Sequence, residues 1–264
     1  MTSSTSTVRV QVVTGGHPFE EQPFFSVFDS LPGIEWSAAT TPRADADVVV
    51  FYDMPGLKFT RHDPPVEFVP PTREQRAVFR QFAERGTGLV FLHHSIASWP
   101  TWDEFADIVG GRFHYQPQEL HGTNYPDSGY VFDVEHTVSI VAPDHAVCAG
   151  LGEAFVISDE LYCFPVFEDN VVPLMRTSFP THDSGEFFSA NHAIRGKMNC
   201  RDGWSHPPGS NLVAWAAAHG RAPLVYLQFG DGPSTYSNES FRKVLANSIH
   251  WSASESAREW ALHR

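Results

Sequence analysis

The chain is poor in cysteine and in positive charge. Three cysteines, Cys148, Cys163 and Cys200, make an odd and sparse set in 264 residues. A disulfide framework is therefore not expected, and a reducing compartment, the cytoplasm, is. Lysine occurs three times, and 18 basic side chains face 31 acidic ones, for a net charge of −13. Proteins that grip nucleic-acid phosphates carry a basic stripe, so no nucleic-acid partner is expected. Long apolar runs are missing as well. None approaches the ~18–20 residues that span a bilayer, so no membrane partner is expected either. The opening MTSSTSTVRV has no apolar stretch of the kind a secretory leader needs. The spacings C-x-x-C and H-E-x-x-H, the P-loop, G-x-G-x-x-G and G-x-S-x-G are all absent. The strong sequence signals for zinc, for a nucleotide cofactor and for a serine elbow go with them.

What is present suits one α/β domain. Hydrophobic residues make up 42% and charged residues 19%, enough for a full core. Residues 8–13 (VRVQVV), 47–52 (DVVVFY) and 88–92 (GLVFL) are short β-rich runs. The second and third are apolar on both faces, as buried parallel strands are. Between them, Phe24, Phe25, Phe28 and Leu31 recur at helical spacing over residues 21–31. Thr72 is placed to cap a helix running to Arg85, and a third helix over 102–109 ends at Gly110-Gly111. This alternation predicts a doubly wound, mostly parallel sheet in a single domain. The second half is less regular. Residues 131–134 and 138–141 alternate like a hairpin, and 154–158, 171–176, 212–217 and 224–229 have strand character. A helix over 240–251 carries Phe241, Val244, Leu245 and Ile249 on one face. Residues 1–7 read as a frayed tail, 8–252 as the domain and 253–264 as a helical tail. Residues 58–71 are a Pro-rich surface excursion. Residues 181–208, with little apolar periodicity, are expected to be a lid over the sheet end or a mobile surface loop.

In such sheets ligands bind at the carboxyl ends of the strands. The predicted ends carry His17, Asp53, His93, His94, Asp159, Glu160 and Asp231. Each alone is also an ordinary polar turn residue; together they suggest a site. Histidine occurs 14 times. It is the side chain that titrates nearest neutral pH and the commonest metal ligand. His93-His94 follows a strand at an abrupt turn, so two imidazoles there are candidates for acid, base, carbonyl donor or metal ligand. Neighbours on an extended segment point to opposite sides, so one of the two is expected to act and the other to support. A dispersed metal site would use His17, His93 and His94 with a divalent ion such as zinc. Trp99, in an irregular segment after the pair, is the aromatic expected to stack on a sugar, whereas Phe105 and Phe113 are expected to pack. His62, His136, His219, His250 and His263 are expected at the surface or at helix ends.

Several blocks, taken in order, resemble the ThuA-like family, named for trehalose utilisation. They are VVTGGHPF, YDMPG, GLVFLHHSIASWPTWDEFADIVGGRFHY, PDHAVCAGL, ISDELY, LVYLQFGDGP and a helix ending in IHW, over about residues 8–252. The resemblance implies a flavodoxin-like fold of the class I glutamine-amidotransferase type. It also implies that the elbow position, a cysteine in true amidotransferases, is held by the His93-His94 turn. It links the chain to disaccharide breakdown through 3-keto sugars. Carried over as site residues are His17, Asp53, His93, His94, Trp99, Asp159, Glu160 and Tyr162. Relatives often have Leu-Gly-His after the last strand, where this chain has Phe229-Gly230-Asp231.

The resulting expectation is a carbohydrate-metabolism enzyme acting on a sugar or 3-keto-glycoside by isomerisation, elimination or hydrolysis. His93, His94, His17, Asp53 and Glu160 are the catalytic candidates. Trp99, Asp159, Tyr162 and Asp231 are the substrate-binding ones. Two alternatives stand beside it: a non-catalytic sugar-binding or regulatory protein, and a metal-dependent hydrolase. A homo-oligomer is plausible on base rates.

Overall fold

Apolar runs become strands where both sheet faces are covered. The chain was analysed as a computed structural model that describes residues 7–60 and 62–264. The expected frayed tail, 1–7, lies outside the described residues except for Thr7. Strand β1 (Val8–Gly15) leads to helix α1 (Glu21–Ser30), β2 (Ile34–Ala39) and β3 (Val48–Asp53). A small hairpin, β4 (Leu57–Phe59) and β5 (Val66–Phe68), precedes α2 (Arg73–Arg85) and β6 (Gly88–Leu92). A 3-10 turn (His93–Ala97) and α3 (Asp103–Val109) follow, then β7 (Gln118–Leu120), β8 (Thr123–Tyr125) and the long β9 (Gly129–Ile140). Next come β10 (Ala154–Cys163), β11 (Val172–Thr177), β12 (Phe188–Ser189) and α4 (Ala190–Ile194). Strands β13 (Leu212–His219) and β14 (Ala222–Leu227) lead to helices α5 (Pro233–Ser237), α6 (Glu239–Ala253) and α7 (Glu255–Ala261).

One sheet of ten strands runs in the order β10-β9-β11-β13-β14-β6-β3-β1-β2, with β12 beside β9. Strands β2, β1, β3, β6 and β14 are mutually parallel. Their order is the 2-1-3-4-5 of flavodoxin-like sheets. Beyond β14 every pairing is antiparallel. Alternate residues of one strand feed two different cores. Val48 and Val50 pack with Phe24, Phe28 and Leu245 on one face. Val49 and Phe51 pack with Phe79, Phe82 and Phe105 on the other. That is why the β3 run is apolar without a break.

The helices start and stop for local reasons. Thr72 accepts from the Gln75 amide while the Gln75 side chain accepts from the Thr72 amide, a reciprocal cap on α2. Gly86, left-handed at φ 70°, ends that helix. On α6, Phe241, Val244, Leu245 and Ile249 are buried, one stripe at helical spacing. No helix among the described residues is long and apolar enough to cross a membrane.

Four expectations are corrected. β2 was not foreseen; its exposure alternates at the sheet edge, and IEWSAA has no apolar run to announce it. Residues 131–141 are not a hairpin: β9 runs straight through to Ile140, pairing with β10 along its length. The Asp159–Tyr162 segment is not a strand tip either. It continues β10 through a bulge between Asp159 and Leu161. His136 is buried, not superficial, with its ring nitrogen 2.8 Å from the Thr177 hydroxyl.

Residues 181–208 are tied beside β9 by polar contacts. The Asp127 carboxylate accepts from the Ser189 hydroxyl and the Asn191 amide at 2.5 and 2.9 Å. The Trp204 indole N–H donates to the Asp127 carbonyl at 3.0 Å. These bonds seat α4 against β9.

Candidate functional site

Turns after the parallel strands deliver polar side chains to one edge of the sheet. After β1 the chain turns at Gly16 (φ +79°), where a Cβ would overlap the Met54 carbonyl, and presents His17. After β6 it turns at once at His93, whose φ of +47° is unusual for a residue with a side chain. This sharp strand-to-helix turn is the geometry of an elbow. After β14 it turns at Gly230 (φ +132°) and presents Asp231.

The other polar groups come from the far end of the sheet. β10 lies four pairings away from β14, a path of about 19 Å along a flat sheet. Yet the Asp159 carboxylate accepts from the amides of Gly230 and Asp231 at 2.8 and 2.9 Å. The antiparallel half therefore curls over the ends of the parallel strands. The bulge after Asp159 lets this residue clamp the β14 turn while Glu160 and Tyr162 reach His93.

His93 is buried and held from every side. Its Nδ1–H donates to the Gln228 carbonyl at 2.7 Å, and its own carbonyl accepts from the Tyr226 hydroxyl at 3.0 Å. Nε2 lies 3.0 Å from Glu160 Oε2, 2.9 Å from the Tyr162 hydroxyl and 3.6 Å from Asp231 Oδ1. Burial alone would lower the His93 pKa. The carboxylates of Asp231, Glu160 and Asp159 outweigh it and raise the pKa well above that of free histidine. His94 is the opposite case. Burial, reinforced by the charges of His93 and His17, holds its pKa well below the ordinary value. Its Nε2–H donates to the Tyr52 carbonyl at 3.2 Å, which leaves Nδ1 as the accepting nitrogen. Two neighbours in sequence thus have their pKa values pushed in opposite directions, with ring planes 80° apart.

Beside them lies a cavity of about 310 Å³, lined among others by His17, His94, Glu160, Tyr162 and Asp231. The His17 ring rests 4.6 Å from that of His94. Its remaining walls are apolar, from Phe113 and Tyr115 after α3, Tyr130 and Phe132 on β9, and α4 with Met198.

Of the expected site residues, the fold therefore gathers His17, His93, His94, Glu160, Tyr162 and Asp231. It does not gather Asp53, Trp99 or Asp159. Asp53 and Trp99 line a separate crevice with Thr40, Ser98 and Phe105, of only about 50 Å³. Strand alternation sends Tyr52 and Asp53 to opposite faces, and the apolar surroundings push the Asp53 carboxyl up to about 7. Trp99 is buried, and its amide donates to the Pro55 carbonyl at 2.8 Å. Asp159 braces backbone amides. Phe113, expected to pack, does line the cavity. Sequence reasoning missed Tyr226 and Gln228, which fix His93, and the β9 wall. Tyr130 and Phe132, two apart on one strand, carried a readable signal of a shared face.

Among the described residues no cysteine or serine lines the cavity. Burial pushes the thiols of Cys148 and Cys163 up to about 11 and about 12. Ser95, next to His94, is fully buried and does not line the cavity.

Comparison with known proteins gives the same architecture. A ThuA-like protein from Parabacteroides merdae matches with a TM-score of 0.66 at 14% identity, covering 94% of this chain and 91% of that one. A ThuA-like protein from Bacteroides uniformis matches with a TM-score of 0.61 at 17% identity, covering 96% and 94%. A chain of PurLQS from Thermotoga maritima, at TM-score 0.52 and 13% identity over 93% and 99%, shares the glutamine-amidotransferase-like fold. No curated protein sequence matches the chain significantly. The family profile described as trehalose utilisation matches residues 44–252. That span holds both imidazoles, the β10 carboxylates and the β14 turn, and the chain belongs to the ThuA family.

Proposed function

We propose that this protein is a carbohydrate-metabolism enzyme that takes a sugar or 3-keto-glycoside into the cavity and moves a proton beside its carbonyl. One observation carries the reading: of two adjacent histidines beside the cavity, His93 lies against carboxylates that raise its pKa, while buried His94 meets only a backbone carbonyl and has its pKa lowered. Such a division is how one site supplies both an acid and a base near neutral pH. A keto group acidifies the neighbouring C–H. Neutral His94 takes that proton on Nδ1. The enolate oxygen accepts from the Tyr162 hydroxyl, and the nearby His93 cation stabilises its charge. His94 then returns the proton. Delivered to the former carbonyl carbon, while the adjacent hydroxyl loses its proton to the former carbonyl oxygen through the Tyr162 hydroxyl, it completes an isomerisation; delivered to the departing glycosidic oxygen it completes a β-elimination. The same reading has the enzyme act in the cytoplasm, in keeping with its sparse, unpaired cysteines.

The test is exchange of the proton next to the ketone, followed by NMR on methyl 3-keto-glucoside in D2O. Wild type exchanges it, and His94→Gln slows exchange by roughly 10²–10⁴-fold. Exchange no faster than in the protein-free control overturns the proposal. Sugar binding without exchange supports a non-catalytic sugar-binding protein instead.

A second reading rests on a separate observation. His93 Nε2 and the carboxylates of Glu160 and Asp231 have ligating atoms within 4.8 Å of one another. His17 and His94 stand outside that set. The Nδ1–H bond to a backbone carbonyl is the support that metal-bound histidines commonly have. A divalent ion such as zinc, held there, would polarise the substrate carbonyl. Metal content per chain decides it. About one equivalent in wild type, lost in Asp231→Ala, favours the ion. Full exchange activity in metal-free protein dismisses it.

A further inference from the structure

The cavity has two unlike halves. One part of its wall carries the imidazoles and carboxylates of His17, His94, Glu160 and Asp231. The rest is walled mainly by Phe113, Tyr115, Tyr130, Phe132, Ile194 and Met198. The polar atoms of that wall are spent or hidden. The Tyr130 hydroxyl accepts from the Asn199 amide at 2.9 Å, and the Tyr115 hydroxyl is buried. A second sugar ring lying there would strip its hydroxyls of water and find few partners for them, at a substantial cost. The rim is apolar too. Phe59, Phe132 and Met198 are exposed by 61, 39 and 57%, and all three belong to this cavity. Most other large apolar side chains of the described residues are covered, so exposed ones gathered at one mouth mark a contact surface. Finally, no Lys or Arg among the described residues lines the cavity, whereas Glu160 and Asp231 do.

We infer that the ligand is an uncharged sugar or keto-sugar carrying an apolar aglycone, aromatic or alkyl, which lies against the apolar wall and the exposed rim of Phe59, Phe132 and Met198. The sugar end rests on the function proposed above. The aglycone end rests on the apolar wall and rim alone. Sugar phosphates and uronic acids are refused, because their charge would be desolvated against the carboxylates of Glu160 and Asp231 with no lysine or arginine among the described residues at the wall, and His93 already lies against those carboxylates.

Calorimetric titration of the full chain with unreactive parent sugars tests this without relying on turnover. The probes are the methyl and phenyl glucosides, in both anomeric forms, and glucose 6-phosphate. Phenyl glucoside of the preferred anomer binds about ten-fold or more tighter than methyl, from the apolar area of the ring. Glucose 6-phosphate binds more weakly than either. Met198→Ala removes a side chain that is largely exposed and Phe132→Ala one that is partly so, and thermal unfolding of each variant checks that the fold is kept. Each lowers affinity for the phenyl glucoside by roughly 3–10-fold and leaves that for the methyl glucoside unchanged. Equal affinity for methyl and phenyl, no measurable binding of phenyl, or a preference for the phosphate overturns the inference. If phenyl is preferred but no ketone proton exchanges, the catalytic reading alone has failed.

Discussion

The two halves of the sheet build the site by different means. In the parallel half, β3 and β6 are buried almost throughout. The residues just beyond those strands, with the turns after β1 and β14, present His17, His93, His94 and Asp231. In the antiparallel half, β9 alternates between buried and exposed along much of its length. It reaches the site by curling back, so that β10 lays Glu160 and Tyr162 against His93. The parallel half sets where the imidazoles stand. The antiparallel half adds Glu160 and Asp159 to the Asp231 that raises the His93 pKa, and it supplies the Tyr130 and Phe132 wall of the cavity.

The largest effect should come from separating the halves. Asp159→Ala strands the amides of Gly230, Asp231 and Glu160, which its carboxylate receives. A loss of about 3–5 kcal/mol is expected in urea unfolding. Asp159→Asn, which keeps an accepting oxygen, should recover part of it. Equal stability of Asp159→Ala and wild type would mean that the curl does not depend on this clamp.

A smaller effect is expected within the parallel half. Gly16→Ala places a Cβ against the Met54 carbonyl at a positive φ. It should cost about 1–3 kcal/mol and displace His17 from His94, visible as a change in the imidazole NMR signals.

The contrast between the two imidazoles can be sharpened by pH, in chelator-treated protein. His93 has a raised folded pKa, so its stabilisation is full below about 6.5 and disappears as pH rises through the folded value. His94 has a depressed one, so its share is full above about 6.5 and falls away as the solution is acidified. Stability lost in His93→Gln should therefore be greatest in acid and shrink as pH rises. His94→Gln should flatten the decline of wild type below neutrality. Parallel pH curves for the two variants would remove the distinction drawn between them.

The smallest effect lies far from both halves of the site. Thr72→Ala removes the reciprocal cap on α2 and should cost about 1 kcal/mol. Ketone proton exchange should not change.

Much of the parallel half was legible in sequence because its signals are local. Unbroken runs such as Val48–Asp53, a Thr72 cap and glycine turns each depend on a few neighbouring residues. His17, His93, His94 and Asp231 were legible for the same reason, since a parallel strand tip points at the site wherever the strand lies. β2 was not, because an edge strand needs an apolar face on one side only. Asp53 and Trp99 were misplaced because strand tips have two sides, and composition does not tell which side opens into the cavity. The aromatic wall was misjudged for a related reason: Phe113 and Trp99 differ in what lies beside them, not in their own character.

By itself the sequence determined a doubly wound α/β domain, the strands and turns that hold the paired histidines, and the absence of a local cysteine or serine elbow. The tertiary structure decided that Glu160, Tyr162 and Asp159 meet the β6 and β14 turns, that two adjacent histidines have their pKa values pushed in opposite directions, and that one cavity sets carboxylates beside a largely apolar wall. The physical reason is one of range. Propensity, capping and turn chemistry act over a few residues. Charge state and desolvation depend on groups 67 to 138 residues away along the chain that touch only once the sheet has curled.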